Sequence, residues 1–100
     1  MTASSDKPYD LRLYVTDASP KSARAIVNVR RILDEHLADR YRLEILNIAE
    51  HVALATCDQI VCVPTLLRVA PAPARRIIGD MSDVARVLKG LDVPDRKSVV

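Results

Sequence analysis

The chain has no tryptophan and no phenylalanine, and its aromatic residues are Tyr9, Tyr14 and Tyr41. Single-stranded nucleic acids are gripped by stacking bases on aromatic rings, so this composition argues against that ligand. Cysteine is scarce too: Cys57 and Cys62 are too few for a disulfide framework. Their spacing is neither CxxC nor a zinc pattern, and His36 and His51 do not complete one. The two glycines, Gly79 and Gly90, form no glycine-rich phosphate loop. No apolar run reaches membrane-spanning length. Residues 1–7 lack the apolar stretch of a secretory leader. These absences lead us to expect a reduced, cytoplasmic protein without metal, cofactor, nucleic acid or membrane partner.

What is present fits one small domain. The chain has 100 residues, 49% of them hydrophobic, enough for an aliphatic core. Fifteen basic and 13 acidic residues leave a net charge of +2, too balanced to imply a polyanionic ligand. Eleven of the basic residues are Arg, which favours directed contacts with carboxylates over a diffuse positive field.

Residues 1–8 read as a polar lead-in and 94–100 as a tail around one domain, 9–93. In Tyr9 to Thr16, Leu11, Leu13 and Val15 share one strand face, and Arg12 and Tyr14 take the other. Ser19 then fits a helix N-cap and Pro20 the first helical position. Ile26, Val29, Leu33 and Leu37 form the buried stripe of a helix to about Ala38. Tyr41 to Ile48 alternates as a second strand, parallel to the first through a right-handed crossover. Ala49 to Asp58 is compatible with a short helix. The apolar run from Ile60 to Val69 predicts a strand, Pro71-Ala72-Pro73 a turn, and Ala74 to Ile78 an antiparallel return. Ser82 is placed to cap a last helix with Val84, Val87, Leu88 and Leu91 on one side. The order βαβαββα, with a mixed central sheet, is the thioredoxin-like α/β plan. Pro64, in Val63-Pro64-Thr65, stands where that fold keeps a cis-proline facing its active site.

A redox thioredoxin needs a cysteine at the start of the first helix, where the helix dipole lowers its pKa. This chain has Ser19-Pro20-Lys21-Ser22 there. Ser19 then serves as a cap and Ser22 as a small solvated residue, with no catalytic residue among them. Cys62 reads as a small hydrophobe inside an apolar strand. A thiol oxidoreductase using Cys57 or Cys62 stays open as an alternative. His51 reads as an exposed loop histidine, and Asp80 and Asp83 fit a turn and a helix start rather than an acid/base pair. The hairpin brings Arg68 near Arg75 and Arg76, and no acid lies between positions 59 and 79. That cluster is either a charged, aggregation-resistant edge or a contact for an acidic partner surface.

Several blocks together resemble the KaiB family of circadian-clock proteins. They are Leu11-Arg12-Leu13-Tyr14-Val15, Pro64-Thr65-Leu66, Arg75-Arg76-Ile77-Ile78-Gly79-Asp80-Met81-Ser82 and Val87-Leu88-Lys89-Gly90-Leu91-Asp92. The resemblance spans about Tyr9 to Val93. It implies a non-enzymatic adaptor that binds the KaiC-type ATPase ring through Arg68, Arg75 and Arg76, in competition with a clock sensor histidine kinase. It also implies a metamorphic chain, with a thioredoxin-like form and a self-associating βαββααβ form, a dimer or tetramer. Tyr9, Gly90 and Asp92 are then the candidate fold-switch positions. A stand-alone sensor-kinase-type domain that does not switch is a further alternative. Pro71-Ala72-Pro73 in place of a triple proline, Thr16-Asp17 in place of Ala-Gly, and the missing acidic tail put a KaiA partner in doubt.

Gly90 within the last helix would cost up to ~1 kcal/mol against Ala. Asp92 would oppose the helix dipole by ~0.3–1 kcal/mol. On that basis Gly90→Ala with Asp92→Arg is expected to favour the thioredoxin-like form, unless Gly90 is simply a C-cap.

Overall fold

The computed structural model describes residues 9–16, 19–37, 40–70 and 73–91. The lead-in, the tail, Asp17, Pro71, Ala72 and Asp92 lie outside the described residues. The elements are β1 (Tyr9–Val15), α1 (Pro20–His36), β2 (Tyr41–Asn47), α2 (Val52–Cys57), β3 (Thr65–Ala70), β4 (Arg75–Ile78) and α3 (Val84–Leu91). The sheet order is β2-β1-β3-β4, with β1 parallel to β2 and antiparallel to β3, and β3 antiparallel to β4. This is the expected thioredoxin-like plan with a mixed sheet.

Alternation along β1 splits the core in two. Leu11, Leu13 and Val15 pack under α1 and α3 with Val29, Ile32, Leu33, Leu66, Ile77, Val87, Leu88 and Leu91. On the opposite face a smaller cluster joins Tyr14, Leu46 and Ala55, with Ile60 and Val63 packed against it. Two helices cover the first face, while the six-residue α2 lies over the second.

Local chemistry explains most boundaries. Ser19 Oγ accepts from Ser22 N–H at 3.2 Å, the N-cap bond expected of a serine before Pro20. At α3 the cap falls one residue later than expected. Asp83 Oδ1 accepts from Arg86 N–H at 3.1 Å, whereas Ser82 N–H donates to Asp80 Oδ1 in the preceding turn. A carboxylate at that end is also stabilised by the positive pole of the helix dipole.

The largest difference concerns Ile60 to Pro64. These residues are not strand; β3 begins at Thr65. α2 ends in a reverse turn in which Ile60 N–H donates to the Ala55 carbonyl at 2.9 Å and Gln59 N–H to the Thr56 carbonyl at 3.1 Å. Gln59 takes φ 59°, the left-handed conformation of a Schellman-type helix end. Pro64 then has no N–H for a sheet ladder, and the Val63–Pro64 bond is cis. The apolar residues serve another purpose: Ile60 and Val63 pack beneath α2 and Val61 points to solvent at 85% exposure.

Candidate functional site

At the α1 start, the two serines are occupied with structure. Ser22 is buried rather than solvated, and its Oγ accepts from Thr16 N–H at 3.1 Å. The hydroxyl thus ties the end of β1 to the first turn of α1. Ser19 holds the cap. Neither side chain is paired with a histidine that could activate it as a nucleophile.

The α2 face of the sheet carries a polar cluster that the sequence pattern did not single out. Asp58 follows the last residue of α2. Its Oδ2 accepts from Arg12 Nη1 at 2.8 Å and from the Tyr14 hydroxyl at 2.5 Å. Arg76 Nη2 donates to the Asp58 carbonyl at 2.9 Å, and Glu44 lies 3.7 Å from Arg12 Nε. Arg12 stands opposite Glu44 on β2 and Leu67 on β3, and Leu67 stands opposite Arg76 on β4. One row across the sheet therefore converges on Asp58 and fastens the end of α2. The available signal was Arg12 and Tyr14 sharing a strand face. Their partner lies 46 and 44 residues away, so no local pattern could reveal it.

This cluster has a pH signature. Burial, reinforced by donation to the Asp58 carboxylate, raises the Tyr14 pKa well above the ordinary phenol value. A raised folded-state pKa means that the native state keeps a proton the unfolded chain releases. Tyr14's contribution is therefore complete below about pH 10 and is lost as pH rises further, at up to roughly 1.4 kcal/mol per pH unit. Urea denaturation of the Tyr14→Phe variant is expected to show lower stability at pH 8 but a flatter decline between pH 9 and 11. An unchanged slope would show that Tyr14 is not the group responsible.

The three hairpin arginines do not form one patch. Arg75 and Arg76 are adjacent on β4, so their side chains leave opposite faces of the sheet. Both are exposed. Arg68 is the correction: it is buried at 3% exposure. Its Nη1 donates to the Leu91 carbonyl and its Nη2 to the Pro73 carbonyl at 2.8 Å. Its guanidinium carbon lies 6.0 Å from the centre of the Tyr9 ring. Arg68 stands on the α3 face because it lies opposite Leu11 and Arg75 in the ladder. It clamps the end of α3, where a cation meets the negative pole of the helix, and is not available as a surface contact.

The sequence matches the KaiB domain family over residues 12–93. It is 46% identical over 83 residues to the circadian clock protein KaiB3 of Synechocystis, covering 83% of this chain and 81% of that protein. It is 44% identical over 87 residues to the circadian clock oscillator protein KaiB of Prochlorococcus marinus strain MIT 9313, covering 87% and 73%.

The chain belongs to the KaiB family.

The fold agrees with the N-terminal domain of Synechococcus elongatus SasA at a TM-score of 0.71 and 25% identity, over 90% of this chain and 88% of that one. It also matches mitochondrial thioredoxin 3 of Saccharomyces cerevisiae at a TM-score of 0.70. There the identity is 11%, over 86% of this chain and 78% of that one, and the likeness is one of fold alone.

For this KaiB-family chain, the candidate switch positions divide. Tyr9 is half-buried, packs against the main core and sits beside Arg68. Gly90 lies inside α3 and is not a C-cap. A Cβ there would come within 2.6 Å of Ile77 Cγ1 and 2.8 Å of its Cδ1. The glycine lets α3 approach β4 closely, so the Gly90→Ala half of the expected double substitution works against the thioredoxin-like form. Asp92 lies outside the described residues. Asp80 and Asp83 serve the turn and the helix cap, and Arg24 together with Asn28 ties α1 to Asp80. The Asp80 carboxyl is held below its ordinary range chiefly by its hydrogen bonds from Ser82, with Arg24 assisting.

Cys57 and Cys62 are both exposed, one at the end of α2 and the other in the loop before Pro64. Cys62 is therefore not a strand-core residue. Neither stands at the α1 start. The double variant Cys57→Ser, Cys62→Ser is expected to change unfolding free energy by less than about 0.5 kcal/mol. A larger loss in thermal or urea denaturation would reveal a packing role that their exposure does not suggest. Among the described residues no group of His, Cys, Asp or Glu is arranged to hold a metal, and no helix is long and apolar enough to cross a membrane.

Proposed function

We propose that this chain is a non-enzymatic KaiB-type adaptor that binds a KaiC-type ATPase ring in its thioredoxin-like form, serving a clock or a stress response. The observation that carries this reading is the combination of a KaiB-family sequence with the fold shared by the SasA domain. The start of α1 offers capping serines where thiol chemistry would need a cysteine. Partner contact falls on Arg75 and Arg76, which are exposed on a terminal strand. A clock sensor histidine kinase would compete for the same ring. A self-associated βαββααβ form is the alternative state in this reading. The small α2, with Ala55 its one buried residue, belongs to the half that repacks.

Size-exclusion chromatography with a KaiC-type ATPase and nucleotide tests the proposal. Co-elution of the native chain and of the Cys57→Ser, Cys62→Ser variant, with loss of co-elution for Arg75→Glu, Arg76→Glu, supports it. Disulfide-reductase activity that disappears in the cysteine double variant would overturn it in favour of an oxidoreductase. The sensor-domain alternative is disfavoured by the higher identity to KaiB relatives than to the SasA domain.

A further inference from the structure

We infer that the outer edge of β4, unpaired among the described residues, takes an extended, acidic segment of a partner protein as an added strand. This deepens the proposed function and rests on its reading that β4 is the partner contact. β4 is the last strand of the sheet. Its register with β3 places Thr65 opposite Ile78 and Arg68 opposite Arg75. Gly79 N–H donates to the Pro64 carbonyl at 3.0 Å, which continues that register by one step. In an antiparallel ladder, alternate residues turn both backbone groups to the same side. Arg75, Ile77 and Gly79 therefore bond toward β3, and Arg76 and Ile78 turn their N–H and C=O groups outward. Such a row is a template for a further strand.

The side chains along the edge specify what that strand carries. Arg75 projects on one face, and Arg76 and Ile78 on the other. All three are exposed, Ile78 at 43%. Among the described residues neither Arg75 nor Arg76 forms an ion pair. The Arg76 guanidinium donates to the Asp58 carbonyl across the α2 face of the sheet, which fixes it on the face it shares with Ile78. Residues directly opposite in a sheet share a face and interact. The complementary strand thus has acids opposite Arg75 and Arg76 and an apolar residue opposite Ile78. In antiparallel order it reads apolar, any residue, acid, acid. A second copy of β4 does not meet this description, because it carries no acid to set against Arg75 and Arg76.

The probe is a capped, fluorescently labelled peptide with Val-Thr-Glu-Asp at its centre, titrated into the full chain. Saturable binding is expected, weakened about ten-fold or more by Arg75→Glu, Arg76→Glu. It is expected to be lost when the two acids become lysine, and lost when the peptide amides that face β4 are N-methylated. Amide exchange should slow at Arg76 and Ile78 and stay as it was at Arg75 and Ile77. Absence of binding up to about millimolar peptide, or protection confined to β2 or α2, would overturn the inference. If the peptide fails while the ATPase ring still co-elutes in an arginine-dependent way, the adaptor reading stands without strand addition. If the peptide binds and the ring does not, the edge site stands and the ring reading fails.

Discussion

Arg68→Ala is expected to lower the unfolding free energy by about 2–4 kcal/mol. The guanidinium bonds to the carbonyls of Leu91 and Pro73 and is 3% exposed. Its removal leaves two acceptors without that donor, each costing about 1–3 kcal/mol if buried and unpaired. The end of α3 also loses the cation that opposes its negative pole. For a chain of this size each kcal/mol is about 4–8 °C in Tm, so the loss is easily read by thermal or urea denaturation. Arg68→Met restores most of the packing volume but no donor and should recover only part of the loss. A change below about 0.5 kcal/mol in both variants would return Arg68 to the surface group with Arg75 and Arg76. If the proposed switch operates, Arg68→Ala should also move the population away from the thioredoxin-like form, because the clamp joins β3, the hairpin turn and α3.

Gly90→Ala is expected to destabilise this fold by up to about 2 kcal/mol, although alanine is the better helix former. Two terms oppose one another. Helix propensity favours the alanine by about 0.8–1 kcal/mol. The new methyl meets Ile77 Cγ1 at 2.6 Å and Cδ1 at 2.8 Å, and overpacking of this kind costs about 1–3 kcal/mol. Ile77 is buried in β4 and β-branched, so moving Cγ1 requires a χ1 change that its neighbours resist. The steric term therefore wins. A double-mutant cycle with Ile77→Ala isolates it, since the overlapping atoms are then absent. In that background Gly90→Ala should become neutral or stabilising. Equal losses in both backgrounds would place the penalty elsewhere in α3.

Periodicity, capping residues and turn signals carried most of the fold. Leu11, Leu13 and Val15 alternate in β1, Ser19-Pro20 opens α1, and the expected order of seven elements matches the structure. The misreading at Ile60 to Pro64 has a physical cause. An apolar, β-branched run has the same composition whether it lies in a sheet or packs under a helix, and only the turn after α2 decides between them. Ser82 and Asp83 are adjacent cap candidates, and the choice depends on where β4 ends.

The opening absence, a chain without aromatic platforms and without a cysteine at the start of α1, was determined by sequence alone. So were the thioredoxin-like order and the KaiB-family blocks, because each depends on residues close together along the chain. Tertiary structure alone decided what the arginines do. Arg68, Arg75 and Arg76 look alike as letters, yet strand alternation and the position of α3 bury the first and send the other two to opposite faces. It also decided that Gly90 is a point of close approach and that Asp58 ties Arg12, Tyr14 and Arg76 together. Those roles arise from contacts between segments distant in sequence, which the chain specifies only once it has folded.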